Sequence, residues 1–220
     1  MKLVLASGSQ RRRELLTMCG YDYEIIVSNA DETIDENDPE SFVRALSFRK
    51  AKDVFDRLFA AGRRDFAVIG SDTVVAFQKE GETKPVIIGK PKDAKDAVRI
   101  LSMLSGKTHR VFTGVSVIAD IPDENAAAQC SIQEKAEIQT ECSITEVTFE
   151  TLSPDEITDY VNSGDPLDKA GSYGIQGPFG MFVREIRGNY FTVIGMPIPV
   201  LYKMLKKIGI LPHGFYERIE

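Results

Sequence analysis

The sequence has few of the residues from which zinc sites and histidine-based catalytic triads are built. Its 220 residues include only two histidines and three cysteines. The cysteines lack the C-x-x-C spacing of a zinc site or a redox pair. Two histidines are too few for a histidine-rich metal site and leave little for a triad. We therefore expect carboxylate chemistry, with the cysteines as reduced thiols in a cytoplasmic protein.

Long apolar runs and an excess of positive charge are also missing. No segment approaches the length that spans a membrane, and the apolar run after Lys2 is shorter than the core of a signal peptide. The formal net charge is −6 at pH 7, which disfavours binding to nucleic acid. We expect neither a membrane nor a nucleic acid as partner, and a phosphate ligand would have to be held by local cations.

Length and composition predict one folded α/β domain that covers residues 1–220. Hydrophobic residues make up 43% of the chain and charged residues 27%, which is typical of globular proteins. No internal repeat and no linker marks a domain boundary. A chain of this size can bury a core of its own.

Hydrophobic periodicity predicts alternating strands and helices along the chain. Strands are predicted at 2–7, 23–27, 66–69, 73–77, 86–88, 110–119, 136–149 with a bulge near Thr145, 181–186 and 190–194. Helices are predicted after Ser9, from Pro39 to about Ala61, after Asp93, from a capping box at Ser153, and from Pro199 to Ile208. The stretch from Asp120 to Ser131 is predicted to be a surface loop between two hairpin strands.

The first strand ends in a turn that could hold phosphate. Ser7 and Ser9 flank a glycine, and Arg11 and Arg12 follow at the start of a helix. Hydroxyls and free N–H groups at a helix N-terminus bind phosphate oxygens, and arginine adds paired contacts. The G-K-[ST] ending of a Walker loop is absent. An ordinary helix cap with a solvated arginine face is the alternative.

Four further polar residues are candidates for a catalytic cluster. Asp72 interrupts an apolar strand, so it must be solvated, paired or bound to a metal. Lys50 falls on the apolar face of a helix, either extending its ammonium to the surface or aiming it into a cleft. Glu32 lies in an acidic loop, where solvated charge is the alternative, and Lys90 precedes a proline that restricts its backbone.

The last candidate segment is rich in glycine and runs from Gly164 to Gly177. Its glycines allow the backbone to approach a ligand closely. Gln176 carries an amide that can both donate and accept hydrogen bonds, as a reader of a nucleotide base must. A structural loop is the alternative.

Taken together and in this order, these residues resemble the Maf family of nucleoside triphosphate pyrophosphatases. The resemblance covers the whole chain. It is carried by Ala6-Ser7-Gly8-Ser9-Gln10-Arg11-Arg12, Gly70-Ser71-Asp72-Thr73-Val74-Val75, Gly89-Lys90-Pro91, Leu104-Ser105-Gly106 with His109, Asp168-Lys169-Ala170-Gly171, Tyr173-Gly174-Ile175-Gln176-Gly177 and Val193-Ile194-Gly195-Met196-Pro197. Two departures leave these motifs intact, since Gln10 stands where proline is common and the 120–131 stretch is longer than in bacterial relatives.

The resemblance implies a two-lobed α/β fold with a twisted mixed sheet, flanking helices and a central cleft, as in ITPase-like proteins. It implies hydrolysis of dTTP, UTP and related or modified pyrimidine nucleotides at the α–β bond, with Mg²⁺ or Mn²⁺ as cofactor and a homodimer as the usual assembly. The implied catalytic residues are Asp72, Glu32, Lys50 and Lys90, with Glu32 and Asp72 as metal ligands. The implied substrate-binding residues are Ser7, Ser9, Arg11, Arg12, Thr73, Lys169 and Gln176.

Two other functions remain open at this point. One is a pyrophosphatase directed at purine nucleotides such as inosine or 7-methylguanosine triphosphate. The other is a non-catalytic nucleotide-binding regulator of cell division, with which the family has been associated. Release of pyrophosphate in the presence of magnesium distinguishes a regulator from an enzyme.

Overall fold

The computed structural model describes residues 1–79, 81–121 and 136–214 of the chain. Its strands are β1 (Lys2–Leu5), β2 (Glu24–Ile25), β3 (Phe66–Phe77), β4 (Val86–Ile88), β5 (Thr108–Asp120), β6 (Ala136–Phe149) and β7 (Val183–Arg187). Its α-helices are α1 (Gln10–Met18), α2 (Pro39–Ala60), α3 (Ala94–Leu104), α4 (Pro154–Asn162), α5 (Tyr190–Ile194) and α6 (Ile198–Lys207). The predicted 120–131 loop lies outside the described residues beyond Ile121.

One seven-stranded mixed sheet forms the centre of the fold, in the order β2-β1-β3-β5-β6-β7 with β4 paired to β3. Strand β1 runs parallel to β2 and β3, and the other pairings are antiparallel. Helices cover the sheet on both faces. The predicted mixed α/β sheet flanked by helices is confirmed. Across the described ranges, no helix is long and apolar enough to cross a membrane.

Strand β3 has a gap in its pairing along one edge. On this edge, β1 pairs with residues 66–69 and β4 pairs with residues 75–77. Neither strand pairs with residues 70–74, so the middle of β3 is open on this side. On its other edge β3 pairs continuously with β5, where Asp72 lies opposite Gly114. The gap separates a lobe built on β1 from a lobe built on β4.

The two lobes have separate apolar cores on one face of the sheet. One core joins β1 and α1 to α6, with Leu5, Leu16 and Leu201 fully buried. The other joins β4 to α3 and α4 around Phe149 and Phe179. Helix α2 covers the opposite face, where its apolar residues pack on both halves of β3.

The prediction of two strands separated by a polar break at residues 70–72 is wrong, because β3 is continuous from Phe66 to Phe77. The ladder with β5 satisfies the backbone through the polar stretch. The two faces of β3 alternate there, so Asp72 faces α2 while Ser71 and Thr73 face the opposite side. The site therefore lies in the middle of a strand rather than at its end.

The irregularity predicted near Thr145 lies three residues further on and only on one edge of the strand, where the register of β6 against β7 shifts between Thr148 and Phe149. The register between β5 and β6 is unbroken from Thr108 opposite Thr148 to Asp120 opposite Ala136. The hydrophobic parity changes because different faces of the strand are covered along its length. Ile138 and Ile144 are exposed, whereas Val147 and Phe149 are fully buried on the other face.

The strand predicted at residues 190–194 is helix α5. The side chain of Asn189 accepts a hydrogen bond from the N–H of Phe191, which caps the helix. The helix ends at Gly195, whose φ of 114° favours glycine. The predicted capping box of α4 is confirmed, with Ser153 and Glu156 bonded to each other's backbone.

His109 is buried beneath the second lobe and gives a pH-dependent prediction. Its Nε2 lies 3.0 Å from the hydroxyl of Tyr173, and burial lowers the pKa of His109 to about 3. The unfolded histidine has a pKa of about 6.5. The free energy of unfolding is therefore unaffected by this residue above that pH, and it falls as the pH drops toward 3 because only the unfolded state binds the proton. We expect the wild type to lose about 1 kcal/mol more than His109→Gln between pH 6 and pH 5 in urea unfolding. Equal losses in the two proteins would contradict the neutral buried ring.

Candidate active site

A cleft of about 1580 Å³ opens at the gap along β3. All eleven side chains that the sequence analysis assigned to the site line it: Ser7, Ser9, Arg11, Arg12, Glu32, Lys50, Asp72, Thr73, Lys90, Lys169 and Gln176. They come from β3, α1, α2 and four connecting segments. Residues distant in the chain therefore meet because both lobes border the open edge of β3.

Two carboxylates and one ammonium form the centre of the cleft. Lys50 Nζ lies 2.7 Å from Asp72 Oδ1 and 3.1 Å from Glu32 Oε2. The side chains of Lys50 and Asp72 are only 12% and 11% exposed, while that of Glu32 is 63% exposed. Lys50 thus aims its charge into the cleft, which is the second of the two possibilities that the sequence left open.

Helix α2 brings Lys50 to Asp72 because glycines let it lie directly on the sheet. A Cβ at Gly70 would clash with the carbonyl oxygen of Ser47, and one at Gly114 would clash with that of Val43. Both glycines flank Asp72, one along β3 and the other across on β5. The short distance between helix and strand is therefore encoded in the sequence at these two positions.

Arg12 connects the turn after β1, which carries Ser7 and Ser9, to the middle of β3. Its Nε donates to the carbonyl of Gly195 at 2.8 Å, Nη1 donates to Ser7 Oγ at 3.0 Å, and Nη2 donates to Thr73 Oγ1 at 3.4 Å. Desolvation lowers the pKa of Arg12, while the charge of Asp72 opposes that shift. Guanidinium has five N–H donors, so two stay available for a ligand.

The turn itself keeps backbone donors for an anion. Ser7 Oγ accepts the N–H of Ser9, and the side chain of Ser9 makes no cap on α1. The first N–H groups of a helix have no partner within the helix, and they carry a partial positive charge. Arg11 and Arg12 lie beside these groups.

Lys90 and Gln176 extend into the cleft from the lobe built on β4. Both side chains are exposed, and neither hydrogen-bonds to another side chain or to backbone within the described ranges. They stay available for a ligand.

Lys169 is differently placed from the other cations. Its ammonium donates to the carbonyl of Asp165 at 2.6 Å, to Asp165 Oδ1 at 2.9 Å and to Asp168 Oδ1 at 2.8 Å. These bonds use all three of its N–H donors. Asp165 and Asp168 were not predicted as site residues. The sequence Asp165-Pro166-Leu167-Asp168-Lys169 carried the available signal, because it places two acidic residues within four positions of a lysine.

The donor set at the centre of the cleft fits a hard divalent cation. Mg²⁺ is usually bound by one or two carboxylates together with substrate phosphates. Glu32 and Asp72 supply two carboxylates that already converge on one cationic group. No cluster of three or more His, Cys, Asp or Glu side chains suited to a metal occurs in the residues described. The chain therefore offers a partial coordination shell that a phosphate tail would complete.

The overall fold has a solved counterpart. The protein is similar to the structure of the Staphylococcus aureus Ham1 protein, with a TM-score of 0.51 and 16% sequence identity over 94% of this chain and 100% of that chain. At this identity the likeness shows the fold alone. The chain therefore has an α/β fold similar to that of the Ham1 protein.

The family follows from the sequence over nearly its full length. A family model described as Maf-like protein matches residues 2–208. The chain belongs to the Maf family. It is 39% identical over 217 residues to the dTTP/UTP pyrophosphatase of Agathobacter rectalis, covering 95% of this chain and 98% of that one. It is 42% identical over 210 residues to the protein of the same name from Bacillus thuringiensis subsp. konkukian, covering 95% and 96%.

Proposed function

We propose that this protein is a nucleoside triphosphate pyrophosphatase that hydrolyses dTTP, UTP and related or modified pyrimidine nucleotides to the monophosphate and pyrophosphate. Its relatives of about 40% identity carry the name dTTP/UTP pyrophosphatase. The observation that supports the proposal most strongly is the meeting of Asp72, Lys50 and Glu32 at the open edge of β3. Catalysis needs such a cluster, whereas simple retention of a nucleotide does not.

Binding of the polyphosphate tail follows from charge. A nucleoside triphosphate carries about four negative charges, and the cleft brings Arg11, Arg12, Lys50 and Lys90 to it. Arg12 is held by three hydrogen bonds, so little side-chain entropy is lost when it binds phosphate. The N–H groups of α1 and the hydroxyl groups of Ser7 and Ser9 add neutral donors.

Asp72 is the proposed general base. It would accept a proton from the water that attacks the α phosphorus, and pyrophosphate would leave. Lys50 orients Asp72, because the ammonium lies 2.7 Å from Oδ1. The low exposure of this pair strengthens the electrostatic interaction compared with one in open solvent.

Glu32 and Asp72 would hold the divalent cation, Mg²⁺ or Mn²⁺, and enzymes of this class generally need one. When bound, such an ion polarises phosphoryl oxygens and neutralises charge that develops on the leaving group. Glu32 is well suited to accept it because it is exposed and reaches Lys50 from a loop. Lys50, which lies against both carboxylates, would neutralise phosphate charge beside them.

Gln176 is proposed to read the base, together with Arg11 and Thr73. We expect Gln176→Glu to change the relative kcat/KM for dTTP, UTP, CTP and GTP by about tenfold while kcat on the best substrate stays within a few fold. The reason is that a carboxylate accepts hydrogen bonds but cannot donate them. Unchanged relative kcat/KM values across the four nucleotides would remove Gln176 from base recognition.

A pyrophosphate-release assay with added Mg²⁺ tests the function. Purified protein is expected to release pyrophosphate from dTTP and UTP faster than from CTP, GTP, inosine triphosphate or 7-methylguanosine triphosphate. Preference for the purine nucleotides would indicate the purine-directed alternative, and binding without any release would indicate a regulator.

The proposal includes two properties of the whole protein. We propose a cytoplasmic enzyme, supported by Cys19 and Cys142, which are both free thiols. We also propose a homodimer, the usual assembly that the resemblance implies. Light scattering of the purified protein is expected to give about twice the 24.4 kDa of one chain.

A further inference from the structure

A continuous series of hydrogen bonds crosses the rim of the cleft and is not explained by catalysis. It begins at Arg11, whose Nη1 donates to Asp168 Oδ2 at 3.2 Å. Lys169 Nζ donates to the other oxygen of Asp168 at 2.8 Å and to Asp165 Oδ1 at 2.9 Å. The carboxylates of Asp165 and Asp168 therefore share the ammonium of Lys169, and Asp168 also binds the guanidinium of Arg11.

The series ends at the segment that carries Gln176. The hydroxyl of Tyr160 donates to Asp165 Oδ2 at 2.5 Å and accepts the N–H of Gly174 at 3.1 Å. Tyr160 is only 6% exposed, and its ring packs on Phe179 with centroids 4.8 Å apart. Helix α4 thus fixes the backbone two residues before Gln176 through a single buried hydroxyl.

Packing along the same segment depends on the position of Lys169. A Cβ at Gly174 would lie 2.6 Å from Lys169 Cε and 3.4 Å from Asp165 Oδ2. The backbone of the segment therefore rests directly on the stem of Lys169. Any movement of Asp165 would move Lys169, and with it the support beneath Gly174.

We propose that Tyr160 and Asp165 are positioning residues that set nucleotide preference by holding the 174–177 segment. Asp168 extends their effect to Arg11 on the opposite side of the cleft. The proposal rests on the proposed function, since it concerns how that site discriminates among bases. It also gives Lys169 a role, because an ammonium with all three donors bound to Asp165 and Asp168 supports the loop rather than the substrate.

Tyr160→Phe tests the proposal because it removes both hydrogen bonds and keeps the ring. We expect kcat/KM for UTP relative to CTP to fall at least fivefold, mainly through a higher KM for UTP. Apart from Arg11, the groups proposed to bind the phosphates and activate water lie outside this series, so kcat on UTP should change less than threefold. A purely structural role would lower the melting temperature and reduce kcat/KM for both nucleotides by the same factor.

Tyr23→Phe is the matched control. Its hydroxyl donates to the carbonyl of Arg13 at 2.9 Å, and the side chain does not line the cleft. The control loses a hydrogen-bonded tyrosine hydroxyl and should keep the wild-type ratio of UTP to CTP. Asp168→Asn is the second variant, chosen because its side chain is 68% exposed and its loss does not threaten folding. It should lower the ratio in the same direction, about twofold to threefold.

The outcomes distinguish failure of the positioning role from failure of the proposed pyrophosphatase function. If the wild type prefers UTP but Tyr160→Phe and Asp168→Asn both keep its ratio, the positioning role is overturned and the enzyme remains. If Tyr160→Phe does not fold, the ratio in Asp168→Asn decides. If the wild type hydrolyses neither nucleotide, the positioning role fails with the function on which it rests. If it hydrolyses both equally, the positioning role fails and the pyrophosphatase function remains.

Discussion

Asp72→Asn is expected to lower kcat for UTP by about a hundredfold or more. The amide preserves the shape of the side chain but cannot accept the proton of the attacking water, and general base catalysis typically contributes a factor of this size. A hundredfold loss corresponds to about 2.7 kcal/mol of transition-state stabilisation. Steady-state release of pyrophosphate at saturating UTP and Mg²⁺ measures it.

The matched control for this variant is Asp120→Asn. Asp120 is also a buried strand aspartate, 5% exposed at the end of β5, where it accepts the N–H of Asp65. It does not line the cleft. The control should retain kcat even if it loses stability. Wild-type turnover by Asp72→Asn would refute the role of Asp72 as base.

Gly114→Ala is expected to destabilise the fold strongly, with a loss of about 3 kcal/mol or more in the free energy of unfolding. Overpacking a tight site usually costs about 1–3 kcal/mol, and here the added methyl group meets backbone that cannot rotate away. The carbonyl group of Val43 lies directly over this position. Relief of the clash requires α2 to move off the sheet, which would also draw Lys50 away from Asp72. Urea unfolding at neutral pH measures the loss.

Gly89→Ala is the control for the change of residue type. No atom lies within 4 Å of the position that its Cβ would take, and its φ is not positive. It should alter the free energy of unfolding by less than about 1 kcal/mol. If Gly114→Ala is as stable as this control, the contact between α2 and β5 is looser than the structure indicates.

Much of the fold could be predicted because local signals were strong. The capping box at Ser153 located the start of α4, and the helix predicted from Pro39 to about Ala61 matches α2 within a residue at both ends. The helix after Asp93 was identified by its cap and its apolar face. Each of these signals lies within one turn of helix, so no knowledge of distant residues was needed.

The errors have two causes. Tyr190–Ile194 has the β-branched and aromatic composition of a strand, and that composition was given more weight than the caps on either side of it, Asn189 and Gly195. The continuity of β3 through Asp72 depends on its partner β5, which is far away in the chain. Local composition contains no information about that pairing.

The site shows the same division. The eleven side chains that residue type and motif order singled out all line the cleft. Sequence could not show that Lys50 lies between Glu32 and Asp72, because that contact requires the close approach of α2 allowed by Gly70 and Gly114. Nor could it show the series of hydrogen bonds at the rim, in which Arg11 binds Asp168, 157 positions away, and Tyr160 binds Asp165.

The most direct test of the central claim is to hydrolyse UTP in water enriched in oxygen-18 and to analyse both products by mass spectrometry. Attack on the α phosphorus at the Asp72 centre predicts UMP and pyrophosphate in equal amounts, with the heavy oxygen in UMP. Formation of UDP and phosphate, or heavy oxygen in the pyrophosphate, would contradict the account.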